Sequence, residues 1–118
     1  MVVDDEENVV ELVKVLLEQE GYKVITASNG KECLEKLKTT KPDLILLDMM
    51  MPGMSGREVC EKIRANPKTR DIKVVFLTVA RFSETGKHVL ESLNVTDYIT
   101  KPFDNEDLLR RIKKILSG

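Results

Sequence analysis

Short apolar runs alternate with helix-period stripes along the whole chain. Met1-Val2-Val3, Leu44-Ile45-Leu46-Leu47 and Val74-Val75-Phe76-Leu77 are bounded by polar or turn residues, as buried strands are. Tyr22 to Ala27 reads as a second strand, Lys73 to Thr78 brackets the fourth, and Asp97 to Thr100 is a short fifth. Between them the period changes. Val9, Leu12, Val13 and Leu16 recur at i, i+3, i+4, i+7 and predict a first helix that Gly21 stops. Cys33, Leu34 and Leu37 mark a second, running to about Thr39 after the Ser28-Asn29-Gly30 turn, which also offers a cap. Val59, Cys60 and Ile63 mark a third that ends near Asn66-Pro67, with Ser55 as its candidate cap. Val89, Leu90 and Leu93 place a fourth over about Ser83 to Leu93. Leu108, Ile112 and Ile115, widened by Leu109 and Leu116, place a fifth from Asn105.

Five βα units without a linker predict an α/β fold with a parallel sheet, because right-handed crossovers put helices on both faces. The strand C-termini of such a sheet share one edge. Five groups stand there: Asp4 and Asp5 after the first run, Asp48 after the third, Thr78 closing the fourth, and Lys101 after the fifth. Each alone is an ordinary polar residue at a strand end. Together they predict a site.

Composition narrows what the site serves. The 118 residues are enough for one domain with a core of its own. Acidic and basic residues nearly cancel, 20 against 19, so no bulk charge draws the chain to nucleic acid or membrane. No apolar stretch approaches the ~20 residues of a membrane span, and no charged-then-apolar leader precedes the first strand. The expected location is cytoplasmic. Cys33 and Cys60 fall on apolar helix sides and read as buried free thiols, and the single histidine, His88, lacks a partner at metal-ligand spacing.

Three close carboxylates repel, and without a counter-ion one is driven toward its protonated form. A divalent cation removes that conflict, and magnesium favours oxygen ligands while keeping sites for water and phosphate. Adjacent residues at a strand end point in opposite directions, so one of Asp4 and Asp5 should bind directly and the other through water. A lysine and a hydroxyl across from a metal-bound carboxylate suit a phosphoryl group, and an aspartate can itself attack phosphorus. Lys101 precedes Pro102, where a cis peptide is affordable.

The blocks Val3-Asp4-Asp5-Glu6, Leu46 to Gly56, Phe76-Leu77-Thr78 and Asp97 to Asp104, in this order, resemble the response-regulator receiver domain of two-component signalling over the whole chain. The resemblance implies a single receiver domain over 1–118. It also implies a flavodoxin-like, three-layer (βα)5 sandwich with strand order 2-1-3-4-5. It implies Asp48 as phosphoacceptor from a histidine kinase phosphohistidine and Mg2+ as cofactor. Asp5 would be the direct ligand, Asp4 would act mainly through water, and the Met50 backbone carbonyl would join Asp48. Thr78 and Lys101 would hold the phosphoryl oxygens, and Thr78 and Tyr98 would form the switch. The responding face would be the fourth helix, fifth strand and fifth helix, offered to a downstream effector or a second copy. A kinase or phosphotransfer domain would dock near Val10, Lys14 and Leu17, which lie on one flank of the first helix. Such a module catalyses only its own phosphorylation and dephosphorylation.

Four positions depart from the family pattern. Val79 follows Thr78 where alanine or glycine is usual, and its branched side chain should crowd the mouth of the site. Asn94-Val95 replaces Gly-Ala, which asparagine's tolerance of the left-handed conformation permits. Arg81 and Phe82 enter the next loop, and the first strand begins at residue 1. Two rivals are a receiver used as a phosphorylation-independent scaffold and an Asp-nucleophile phosphatase. The scaffold normally lacks one of Asp5, Asp48 or Lys101. Phosphatases of the haloacid-dehalogenase type carry a second acid two residues after the nucleophile, where this chain has Met50.

Overall fold

The computed structural model describes residues 1–79 and 91–117. Its elements run β1 (Val2–Val3), α1 (Glu7–Gln19), β2 (Thr26–Ala27), α2 (Gly30–Lys36), β3 (Leu44–Asp48), α3 (Gly56–Ala65), β4 (Lys73–Thr78), β5 (Asp97–Thr100) and a C-terminal helix (Asn105–Ser117). All strand pairs are parallel and the order is β2-β1-β3-β4-β5, as expected. Of the helix expected over Ser83 to Leu93, residues 83–90 lie outside the described residues, as do Arg81, Phe82 and His88. Glu91 and Ser92 are helical.

Strand alternation divides the core in two. Val3, Ile45, Leu47, Val74 and Phe76 pack against Cys33 of α2 and Val59, Cys60 and Ile63 of α3. Val2, Leu46, Val75, Leu77 and Ile99 pack on the other face against Val13 and Leu17 of α1 and Leu108 and Ile112 of the C-terminal helix. Three layers follow. Both cysteines are buried and free.

The local signals act as anticipated. Asn29 accepts from the Glu32 N–H at 2.8 Å, and Ser55 and Glu58 form a reciprocal capping box ahead of α3. Gly21 takes φ +89° beyond α1, and Asn94 takes φ +54°. Gly56 is required for another reason. A Cβ there would lie 2.3 Å from the Asp48 carbonyl oxygen, so α3 starts as close to the end of β3 as a backbone without a side chain allows.

Two expectations need correction. β2 begins at Thr26 rather than Tyr22, because β1 pairs only Val2 with Thr26 and Val3 with Ala27, leaving 22–25 with no strand residue opposite. The core stripe of α1 is also rotated, by roughly 70° at 3.6 residues per turn. Val13 and Leu17 are its buried residues, whereas Leu12 is 43% exposed. The cause is that α1 packs against the C-terminal helix as well as the sheet, so its buried side faces the corner between them. Leu17 therefore belongs to the core and not to an exposed docking patch, and Val10 packs on the edge of the same cluster.

Arg64, near the end of α3, fastens three segments. Nε donates to the Leu93 carbonyl at 2.7 Å, Nη1 to those of Arg70 and Ile72 at 2.9 and 2.7 Å, and Nη2 to that of Asn94 at 3.1 Å. A guanidinium can do this because its donors form a rigid planar fork. Arg64→Met keeps the apolar stem and leaves the carbonyls unmatched. Chemical denaturation should show a loss of about 2–3 kcal/mol, with Arg64→Lys recovering little of it; equal stability of all three proteins would contradict the assignment.

Candidate functional site

The parallel register carries the ends of β1, β3, β4 and β5 to one edge, and the side chains there enclose a charged centre. Asp4, Asp48 and Thr78 are buried where their strands stop. Lys101 reaches in from beyond β5 across a cis Lys101-Pro102 bond. Its Nζ donates to Asp4 Oδ2 at 2.6 Å and lies 3.6 Å from Asp48 Oδ2 and 3.5 Å from Glu6 Oε1. The other oxygen of Asp4 accepts from the Glu6 N–H at 2.9 Å, and Asp48 Oδ1 accepts from the Met50 N–H at 3.0 Å. Backbone bonds hold the rim: Lys101 N–H to Thr78 O at 2.7 Å and Met49 N–H to Leu77 O at 3.0 Å.

Among the described residues one acidic group is arranged to hold a metal: Asp4, Glu6 and Asp48 each offer a carboxylate oxygen, all within 4.8 Å of one another. An all-oxygen donor set with this much negative charge suits a hard divalent cation. Glu6 was not among the residues singled out from sequence. Its signal was position, since it follows Asp4 by two residues and so returns to the same side of the chain. Asp5 is exposed and stands outside that group, but its side chain is near enough to Asp48 to favour the protonated form of that carboxyl. Tyr98 is half-buried and packs against the α2–α3 side of the core. Met50 and Val79 are 63% and 66% exposed, one after β3 and one after β4.

The described fold coincides with that of known proteins. The family model for the response regulator receiver domain matches residues 1–113. The chain belongs to that family. This receiver domain is 43% identical to the alkaline phosphatase synthesis transcriptional regulatory protein PhoP of Bacillus subtilis (strain 168), over 98% of the chain but only 47% of that protein. It therefore spans about half the length of that curated relative. Among solved structures it resembles chemotaxis protein CheY4 of Vibrio cholerae, with a TM-score of 0.89 and 30% identity over 97% of this chain and 94% of that one. It also resembles the response regulator TrrA of Thermotoga maritima in complex with Mg(2+)-BeF, with a TM-score of 0.80 and 40% identity over 97% and 95%. No helix among the described residues is long and apolar enough to cross a membrane.

Burial governs the charges of the receiver centre. It pushes the Asp48 carboxyl from its ordinary 3.8 up to about 7. The Met50 N–H opposes this, the Asp4 charge adds to it, Lys101 opposes it, and the nearby Asp5 side chain favours the protonated form. For Lys101 burial works against the charge, but the Asp4 hydrogen bond and the charges of Asp4, Asp48 and Glu6 outweigh it and raise its pKa.

The folded protein thus holds the Asp48 proton more tightly than the unfolded chain does. Its ionisation costs stability, a cost absent below about pH 4 and complete above about pH 7. Asp48→Asn should leave stability unchanged near pH 4 and raise it above pH 7 in metal-free buffer, by about 2–4 kcal/mol. Urea titrations of both proteins across this range check the sign. A constant difference at all pH values would contradict it.

Proposed function

We propose that this receiver domain, one unit over 1–118, accepts a phosphoryl group on Asp48 from the phosphohistidine of a sensor histidine kinase or phosphotransfer domain. The observation that carries the reading is the Lys101 ammonium lying between two buried carboxylates, 2.6 Å from Asp4 and 3.6 Å from Asp48. In the reaction an Asp48 oxygen bonds to phosphorus, the phosphorus–nitrogen bond breaks, and the imidazole leaves and takes up a proton. Lys101 and Thr78 bind the transferred oxygens, whose charge is spread and needs several donors.

Magnesium suits the donor set, and its chemistry is to neutralise charge shared between the carboxylates and the incoming phosphoryl group. Asp48, Asp5 and the Met50 carbonyl would hold it, with Glu6 in reach. Both Asp4 oxygens already accept hydrogen bonds, from Glu6 N–H and Lys101, which supports Asp4 acting through water.

The phosphoryl group then favours one arrangement of Thr78 and Tyr98 over another, and a group that interacted equally with both would shift nothing. The responding face comprises the fourth helix, Asp97–Thr100 and Asn105–Ser117. It addresses a downstream partner or a second copy, in the cytoplasm. On α1, Lys14 and Val10 remain candidates for the kinase contact without Leu17.

Incubation with a small-molecule phosphodonor and Mg2+ should give one phosphoryl adduct by intact mass, lost in Asp48→Asn and with chelator. Absence of an adduct under all conditions points instead to a phosphorylation-independent scaffold. Asp5→Asn should weaken Mg2+ binding more than Asp4→Asn or Glu6→Gln, read by Mg2+ titration of the apo proteins. Val79→Ala should speed loss of the phosphoryl group roughly 2- to 5-fold, about 0.5–1 kcal/mol in barrier. Equal rates would remove Val79 from access to the site.

A further inference from the structure

Lys101 has three carboxylates in reach, and they hold it on different terms. Asp4 Oδ2 accepts from Nζ at 2.6 Å, while Glu6 Oε1 lies 3.5 Å away and Asp48 Oδ2 3.6 Å away. The Asp4 and Asp48 side chains are 0% and 4% exposed, whereas that of Glu6 is 62% exposed. Releasing Asp4 would leave a buried carboxylate without its cation, which is strongly unfavourable. Releasing Glu6 returns it to water at little cost, as for other exposed ion pairs. Glu6 is therefore the acceptor that Lys101 can give up.

The backbone sets its place. Glu6 is the N-cap residue of α1, yet its side chain makes no capping hydrogen bond. Its carbonyl accepts from the Val9 and Val10 N–H groups, and its own N–H donates to Asp4 Oδ1 at 2.9 Å. The other oxygen of Asp4 accepts from Lys101. One buried carboxylate thus holds the Glu6 backbone and the Lys101 ammonium side by side. The Glu6 side chain turns to that ammonium and not to its own helix.

We propose that Glu6 is a latch on Lys101, a positioning residue that holds the ammonium until a phosphoryl group reaches Asp48 and then lets it go. The latch rests on the reading of Asp48 as phosphoacceptor and Lys101 as a phosphoryl-binding group. An ammonium has three donor hydrogens. With the Asp4 bond kept, those turned toward the incoming oxygens come from the Glu6 and Asp48 sides. A phosphoryl group carries more negative charge than one carboxylate and offers more acceptor oxygens, so it wins the contact. Until it does, Glu6 competes for the same donor and slows loading.

Glu6→Gln and Glu6→Asp, compared with the unaltered chain, test this. Each is given a small-molecule phosphodonor at saturating Mg2+ and low ionic strength, and the rate of adduct formation is followed by intact mass. Glutamine keeps the shape without the charge. Aspartate keeps the charge, but its shorter side chain caps α1, as N-cap aspartates do, and does not reach Lys101. Both variants should load roughly 2- to 5-fold faster. The difference should vanish at about 1 M salt, where the screening length falls to ~3 Å. Equal rates at low salt would overturn the latch. So would Glu6→Asp loading as slowly as the unaltered chain, because charge at the mouth and not contact with Lys101 would then set the rate. Slower loading of Glu6→Gln, with weaker Mg2+ binding, would assign Glu6 to the metal instead. No adduct on any of the three proteins would overturn the phosphoacceptor reading and the latch with it.

Discussion

Two carboxylates buried at neighbouring strand ends would repel each other and the fold, and the Lys101 ammonium between them makes the arrangement tenable. Everything around the centre serves that contact. The parallel register brings β1, β3 and β5 to a common edge, the Met50 and Glu6 amides satisfy the outward carboxylate oxygens, and the rim bonds from Lys101 N–H and Met49 N–H pin the strand ends. The compensation is incomplete, as the raised Asp48 pKa shows. A receiver centre left electrostatically unfinished has a physical reason to bind a cation.

Much of this was legible in the sequence because it rests on period and punctuation. Runs such as Leu44 to Leu47 and Val74 to Leu77, short, apolar and bounded by polar or turn residues, read as buried strands, and a parallel sheet then brings their terminal polar residues together. Asn29, Ser55, Gly21 and Asn94 act as their side chains or lack of one dictate.

The misreadings arose where tertiary packing decides. The apolar pattern of α1 is broad enough to accept two centres, and contact with the C-terminal helix selects Val13 and Leu17 over Leu12. The start of β2 depends on how far β1 extends beside it, which no property of Tyr22 to Ile25 records. Glu6 stands at the N-terminal boundary of α1, and only the folded chain brings its oxygen within reach of Asp4 and Asp48. Arg64 carries no motif at all, since its partners are carbonyls, which every residue possesses.

Met50 and Val79 give the centre an oily collar. Both stand well exposed after adjacent strands, so apolar surface at this edge accompanies the exposed acids Asp5 and Glu6. A large partner covering that collar would expel water from the centre as it seats. A small molecule would leave the collar wet. Access of water to Asp48 is in this way tied to the size of what approaches it, a form of selection that needs no residue dedicated to recognition.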